Sequence, residues 1–128
     1  MSEIRFKIGE VVLGLVSDDD QDHFPIEESY RKFISTDNPL VSLHHTYGET
    51  PELSSWQPVF DSTGVWRLFR QDDRLAIGLY SPVYGPRPYQ VTVVSNDFLT
   101  GSIITSAACF RRSEIPFPLR YPLAEVLM

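Results

Sequence analysis

Residues 65–80 read VWRLFRQDDRLAIGLY, and they carry the strongest local structural signal in the chain. Two runs rich in aliphatic and aromatic residues flank the short polar link QDDR. Successive side chains point to opposite faces of a strand, so Leu75, Ile77 and Leu79 share one face. Two apolar runs joined by a short polar link predict a β-hairpin, and these three residues are expected to face the core.

The same two-residue alternation recurs on both sides of the hairpin. Residues 4–8 read IRFKI and residues 41–47 read VSLHHTY, so apolar and polar side chains again fall on opposite faces. Shorter strand-like runs occupy residues 11–16, 59–60, 89–94 and 101–105. The pattern predicts a mainly β domain, α+β by strict count, with roughly seven to nine mostly antiparallel strands in a sandwich or a bent sheet.

One short helix is predicted over residues 24–34. Pro25 suits the first helical position, where its missing N–H has no intrahelical partner to lose. Ile26, Tyr30 and Phe33 follow the spacing i, i+4, i+7 and would form one apolar face.

Length and charge narrow the class of protein. The chain has 128 residues, which fits one domain, and a formal net charge of -6. Because phosphate neutralisation supplies most of the affinity for nucleic acids, we expect no nucleic-acid partner. No apolar run approaches the roughly 18 residues that span a bilayer, so we expect no membrane partner. The single cysteine and the absence of a signal-peptide pattern favour the cytoplasm.

Two groups of potential metal ligands do not form a recognisable site. His44 and His45 are adjacent in a predicted strand, so they face opposite sides and are poorly placed to share a metal. The acidic run 18–22 resembles the start of a calcium loop, which needs Gly at its sixth position and Glu at its twelfth. Those positions hold His23 and Ser29. We predict no metal site.

Catalytic motifs are missing as well. Cys109 has apolar neighbours, which favour a buried and unreactive thiol. The sequence contains no Gly-x-Ser-x-Gly elbow, no His-Glu-x-x-His pair and no Walker-type phosphate loop. We predict no catalytic residue and no cofactor site within this chain, and whether it belongs to an enzyme stays open.

The aromatic residues allow a different function. Most of them are expected in the core, but His45, Trp66 and Tyr89 would line a pocket if their side chains converged. The chain would then be a free-standing small-ligand-binding β domain. Tyr84 lies in the Pro-rich loop 81–88. We expect Tyr84 and Tyr89 to be partly exposed, with Tyr84 available for an interface.

The last residues, 111–128, differ from the β domain expected over residues 1–110. Three prolines in residues 111–122 indicate an extended connector, and LAEVLM at the end has helix formers without a cap. We predict the start of a helix that leads to a downstream domain. The apolar residues expected to contact that domain, or a second copy of the chain, are Phe117, Leu119, Tyr121, Leu123 and Leu127.

Three segments carry a family resemblance: VFDSTGVWRLFR at 59–70, DFLTG at 97–101 and PLRYPLAEVL at 118–127. Together they resemble the N-terminal region of the HPr kinase-like, or HPr kinase-related, bacterial P-loop serine kinases. In that family the third segment is similar to the helix that enters the kinase domain. The resemblance implies a non-catalytic accessory domain, with the ATP-binding loop after this chain. The implied partners are a downstream kinase domain in cis and a protein substrate.

Overall fold

The computed structural model describes residues 2–17, 31–63, 65–111 and 118–119. They form eight β-strands and one short 3-10 turn at Pro82–Tyr84. The strands are β1 Ser2–Ile8, β2 Val11–Ser17, β3 Val41–Gly48, β4 Gln57–Asp61, β5 Trp66–Gln71, β6 Arg74–Leu79, β7 Gln90–Ser95 and β8 Thr100–Ser106. The predicted mainly β class is confirmed.

All eight strands belong to one mixed sheet in the order β1-β2-β3-β8-β7-β6-β5-β4. Strands β4 to β8 form an antiparallel meander, and β1 pairs with β2 in a hairpin. Strand β3 lies between β2 and β8 and runs parallel to both. The chain reaches β3 through residues 18–40, a connection long enough for the crossover that parallel neighbours require.

The predicted hairpin is confirmed, with Asp72 and Asp73 at its turn and Leu68 opposite Ile77. Its register divides the sheet into two faces. The inner face carries Leu75, Ile77 and Leu79, and it contributes to a main core with Phe6, Leu13, Leu15, Val41, Leu43, Tyr89, Val94, Ile103 and Leu119. The outer face carries a smaller second core of Leu53, Phe69, Ala76 and Val91. Strand β6 therefore has buried side chains on both faces.

Most of the predicted helix over residues 24–34 lies outside the described residues. At its end, Lys32 and Phe33 form a turn, and Ile34 forms a β-bridge with Phe6 instead of continuing a helix. The Lys7 amide donates to the Phe33 carbonyl at 2.7 Å, and the Ser35 amide donates to the Arg5 carbonyl at 2.9 Å. This segment covers part of the β1 edge, which would otherwise present unpaired backbone groups.

Two residues of the predicted connector are buried against the inner face. The Leu119 side chain has no exposed surface and belongs to the main core. Gln90, also buried, donates from Nε2 to the Pro118 carbonyl at 3.0 Å. Because a buried carbonyl needs a donor, Gln90 on β7 fixes this turn to the sheet.

We expect Leu119→Ala to lower the free energy of unfolding by about 2–5 kcal/mol, because it would leave a cavity in the main core. Urea denaturation followed by tryptophan fluorescence measures this. Val83→Ala is the control, since Val83 is 83% exposed and should change stability by less than about 0.5 kcal/mol. Equal stability of the two variants would show that Leu119 does not pack as described.

Gly101 on β8 supports a second test of the packing. A Cβ atom there would lie 2.6 Å from the Val93 carbonyl oxygen and 2.7 Å from Val94 Cγ1. Gly101→Ala should destabilise the domain by about 1–3 kcal/mol, because the neighbouring strand β7 would have to move. Gly48→Ala is the matched control, since nothing lies within 4 Å of a Cβ at that position. Thermal unfolding should separate the two, and a Gly101→Ala protein as stable as its control would contradict the register of β7 and β8.

Candidate functional site

The structure does not bring His45, Trp66 and Tyr89, the predicted pocket residues, together at one place. His45 is fully buried on the inner face, where its Nε2 lies 2.8 Å from Thr105 Oγ1. Trp66 is four strand spacings away in the sheet and stacks on Phe60, with ring centroids 5.0 Å apart. The inner face is where the core forms, so aromatic residues there pack instead of opening a cavity.

Tyr89 also departs from its expected exposure. It is buried in the main core and makes edge contacts with the rings of Tyr84 and Phe110, at 5.4 and 5.8 Å between centroids. Tyr84 is exposed over about a third of its surface, as its position in the loop predicted. Its ring forms part of a cleft, described below.

The interface residues predicted near the end of the chain divide into two groups. Leu119 is buried in this domain's own core, so its side chain is not offered to a partner. Leu119 is buried because the turn at Pro118 brings it back onto the sheet. Phe117, Tyr121, Leu123 and Leu127 lie outside the described residues.

Within the part of the chain that the structure describes, no three His, Cys, Asp or Glu side chains lie close enough together to hold a metal ion. His44 is partly buried and His45 fully buried, on opposite faces of β3. The acidic run 18–22 lies outside the described residues. Within the described ranges, no helix has the length and hydrophobicity to cross a bilayer.

A cleft of about 600 Å³ opens beside the ends of β3 and β8, and we name it the apolar cleft. Its lining consists of residues 48–50, 106–109 and 86–87 with Tyr84. The backbone of this lining is held in place: the Ala107 amide donates to the Gly48 carbonyl at 2.7 Å, and Ser106 Oγ accepts from the Ala108 amide at 3.2 Å. Cys109, expected to be buried, is half-buried here.

A second cleft of about 390 Å³ lies next to it, and we name it the arginine cleft. It is lined by residues 52–54 and 86–88 with Arg67, Phe69 and Tyr80. Pro86 and Arg87 line both clefts and form their common wall. Arg87 is positioned by a hydrogen bond from its Nη2 to the Thr50 carbonyl at 2.8 Å. Its Nη1 lies 3.7 Å from Glu49 Oε1.

Gly78 explains how Arg67 is positioned in the arginine cleft. A Cβ at Gly78 would lie 2.8 Å from Tyr80 Cε1, so the absent side chain leaves the space in which the tyrosine ring lies. Arg67 is the cross-strand partner of Gly78, and its guanidinium carbon lies 4.3 Å from the centre of that ring. Its Nε lies 3.4 Å from Asp61 Oδ2. A stack and an ion pair thus hold one guanidinium at the cleft.

Sequence reasoning did not find this site. Arg67 and Tyr80 are adjacent only because of the β5–β6 register, and Arg87 comes from a loop with no regular pattern. The signal that was available is Gly78, since an isolated glycine inside a strand often marks a close approach by another group.

The charges around Tyr80 oppose one another. Burial raises the pKa of the Tyr80 phenol, the positive charge of Arg67 lowers it, and the negative charges of Glu52 and Asp61 raise it further. The net pKa lies above the ordinary value, so the hydroxyl keeps its proton at neutral pH.

No protein-family model, curated protein or solved structure matches this chain.

The charges around Tyr80 support a direct test. Glu52→Gln should lower the pKa of Tyr80, because one negative charge is removed, and Arg67→Gln should raise it. The measurement is a pH titration of the 13Cζ resonance of Tyr80, assigned with Tyr80→Phe. Asp72→Asn, at the hairpin turn, is the control and should leave the titration unchanged. A pKa that moves in neither of the first two variants would show that these groups do not surround Tyr80.

Proposed function

We propose that this chain is a non-catalytic accessory domain of an HPr kinase-like P-loop kinase in the cytoplasm, where it serves docking, substrate selection or oligomerisation. The three segments of the resemblance support the proposal. They correspond to the β4–β5 hairpin, the turn that enters β8, and the segment that begins with Pro118 and Leu119.

The single observation that carries the proposal is the burial of Leu119 together with the Gln90–Pro118 hydrogen bond. A chain that leaves from a buried residue starts in a fixed position, whereas a Gly/Ser-type linker would leave its two domains free to reorient. An accessory domain that positions a substrate for a kinase needs such a fixed exit, because catalysis depends on orientation.

The exposed end of the sheet supports a docking role. Strand β4 is an edge strand, and Val59, Phe60 and Val65 are each about half exposed there. Apolar side chains grouped at the edge of the described sheet provide area that a neighbouring domain or a second copy can bury.

The proposal is tested first by reading the coding DNA past the codon for Met128 and expressing the whole reading frame. We expect a Gly-x-x-x-x-Gly-Lys-Ser/Thr loop downstream and ATP-dependent phosphorylation of a serine in a protein substrate. In the whole protein, Gln90→Ala should reduce protein phosphorylation more than ATP binding, because it releases the Pro118 turn.

Gln57→Ala, on the exposed edge strand, is the matched control and should retain phosphorylation. Thermal unfolding of both variants shows whether a loss of phosphorylation comes from the released Pro118 turn or from an unfolded domain. A stop codon directly after Met128 would overturn the proposal, and so would a downstream domain without a phosphate loop.

A second candidate, a free-standing small-ligand-binding β domain, is favoured by the two adjoining clefts. Their volumes fall in the range of small-molecule sites, and they share one wall. A stop codon after Met128 together with ligand binding in these clefts would select it over the kinase accessory domain.

A further inference from the structure

Two arginines from distant parts of the chain meet at one concave site. Arg67 comes from β5 and Arg87 from the loop before β7, and both line the arginine cleft. We propose that this cleft binds the anionic head of a small organic ligand, a carboxylate or a phosphate monoester, and that the adjoining apolar cleft binds the ligand's apolar body. The inference goes beyond the accessory role and does not depend on it.

Arg67 is held before a ligand arrives. Its guanidinium carbon lies 4.3 Å from the centre of the Tyr80 ring, and its Nε lies 3.4 Å from Asp61 Oδ2 without forming a hydrogen bond. A guanidinium carries five N–H donors, arranged to match the paired oxygens of carboxylates and phosphates. Since the side chain is already oriented, binding would cost little conformational entropy.

Arg87 is held in a similar way from the other wall. Its Nη2 donates to the Thr50 carbonyl. Its Nη1 forms a long and exposed ion pair with Glu49. The Glu49 side chain is 86% exposed, so the pair is screened by water and contributes little. An incoming anion can replace Glu49 without leaving a buried charge behind.

The lining of the arginine cleft has two arginines and one acid, Glu52, in a protein whose formal net charge is -6. Each arginine also has one acid within 4 Å, Asp61 at Arg67 and Glu49 at Arg87. An incoming anion must therefore compete with carboxylates that lie towards solvent. Tyr80 and Ser54 add neutral hydroxyl groups to the same lining.

The apolar cleft supplies room for the rest of the ligand. Tyr84, Pro86, Ala107, Ala108 and Cys109 present ring, ring-methylene, methyl and sulfur surface. Such a lining next to a few oriented polar groups is the usual composition of small-molecule sites. Because Arg87 lies in the wall common to both clefts, a ligand bound through Arg87 extends directly into the apolar one.

The test uses 1-naphthyl phosphate, 1-naphthoate and the neutral 1-naphthol, titrated into the whole chain and followed by two-dimensional 15N NMR. At least one anion should bind more than tenfold more tightly than the alcohol. The tighter of the two identifies the head as phosphate or carboxylate. Equal affinity of the alcohol and both anions would overturn the proposal.

Charge variants assign the head group to the arginine cleft. Arg67→Gln and Arg87→Gln should each weaken binding of the tighter anion by about tenfold, because each removes charge-assisted hydrogen bonds. Arg70→Gln is the matched control, since Arg70 lies on the same strand as Arg67 and lines neither cleft. Glu52→Gln should strengthen binding about threefold, a gain that unfolding cannot produce. Unchanged affinity in all three cleft variants would overturn the assignment.

Cys109 reports on the apolar body. It is the single cysteine of the chain and lines the apolar cleft, so its reaction with neutral iodoacetamide samples that cleft alone. Saturating ligand should slow the alkylation at least fivefold, and inorganic phosphate, which lacks an apolar body, should leave the rate unchanged. An unchanged rate with the naphthyl ligand would place its apolar body elsewhere and overturn this part of the proposal.

Discussion

The core and the candidate site are both arranged around strand β6, which is buried on both of its faces. Leu75, Ile77 and Leu79 pack in the main core, while Ala76 and Gly78 face the second core and the arginine cleft. A Cβ at Gly78 would lie 2.8 Å from Tyr80 Cε1, so this glycine leaves the space in which Tyr80 and Arg67 meet. Because interiors are close-packed, a side chain at this position would displace the tyrosine ring. One strand therefore contributes to both the core and the site.

The sequence was sufficient to find the strands, because a two-residue alternation reports directly which side chains share a face. It did not show that β3 runs parallel between β2 and β8. The alternation of apolar and polar residues is the same in parallel and antiparallel strands, so it does not show which strands are neighbours. The length of the connection over residues 18–40 was the one signal for a parallel arrangement.

The site was less accessible to sequence reasoning than the fold. The pocket expected around His45 and Trp66 used large side chains on the inner face, which are the residues a core requires. The sequence does not single out the cleft arginines, because nothing local distinguishes Arg67 from Arg70 on the same strand. Only the register places Arg67 opposite a glycine, and register is a property of the folded pair of strands.

Residues 106–110 connect the wall of the apolar cleft to strand β3. The first part of this segment lines the apolar cleft, and at its end the Phe110 carbonyl accepts a hydrogen bond from the Tyr47 hydroxyl at 2.5 Å. The Phe110 ring contacts Tyr84, another part of the cleft wall. Further along the chain, Pro118 and Leu119 lie on the inner face, where Gln90 donates to the Pro118 carbonyl. A ligand changes an equilibrium only through different affinities for its two states. A ligand in the apolar cleft would contact residues 106–109, so its affinity would depend on how that segment is placed.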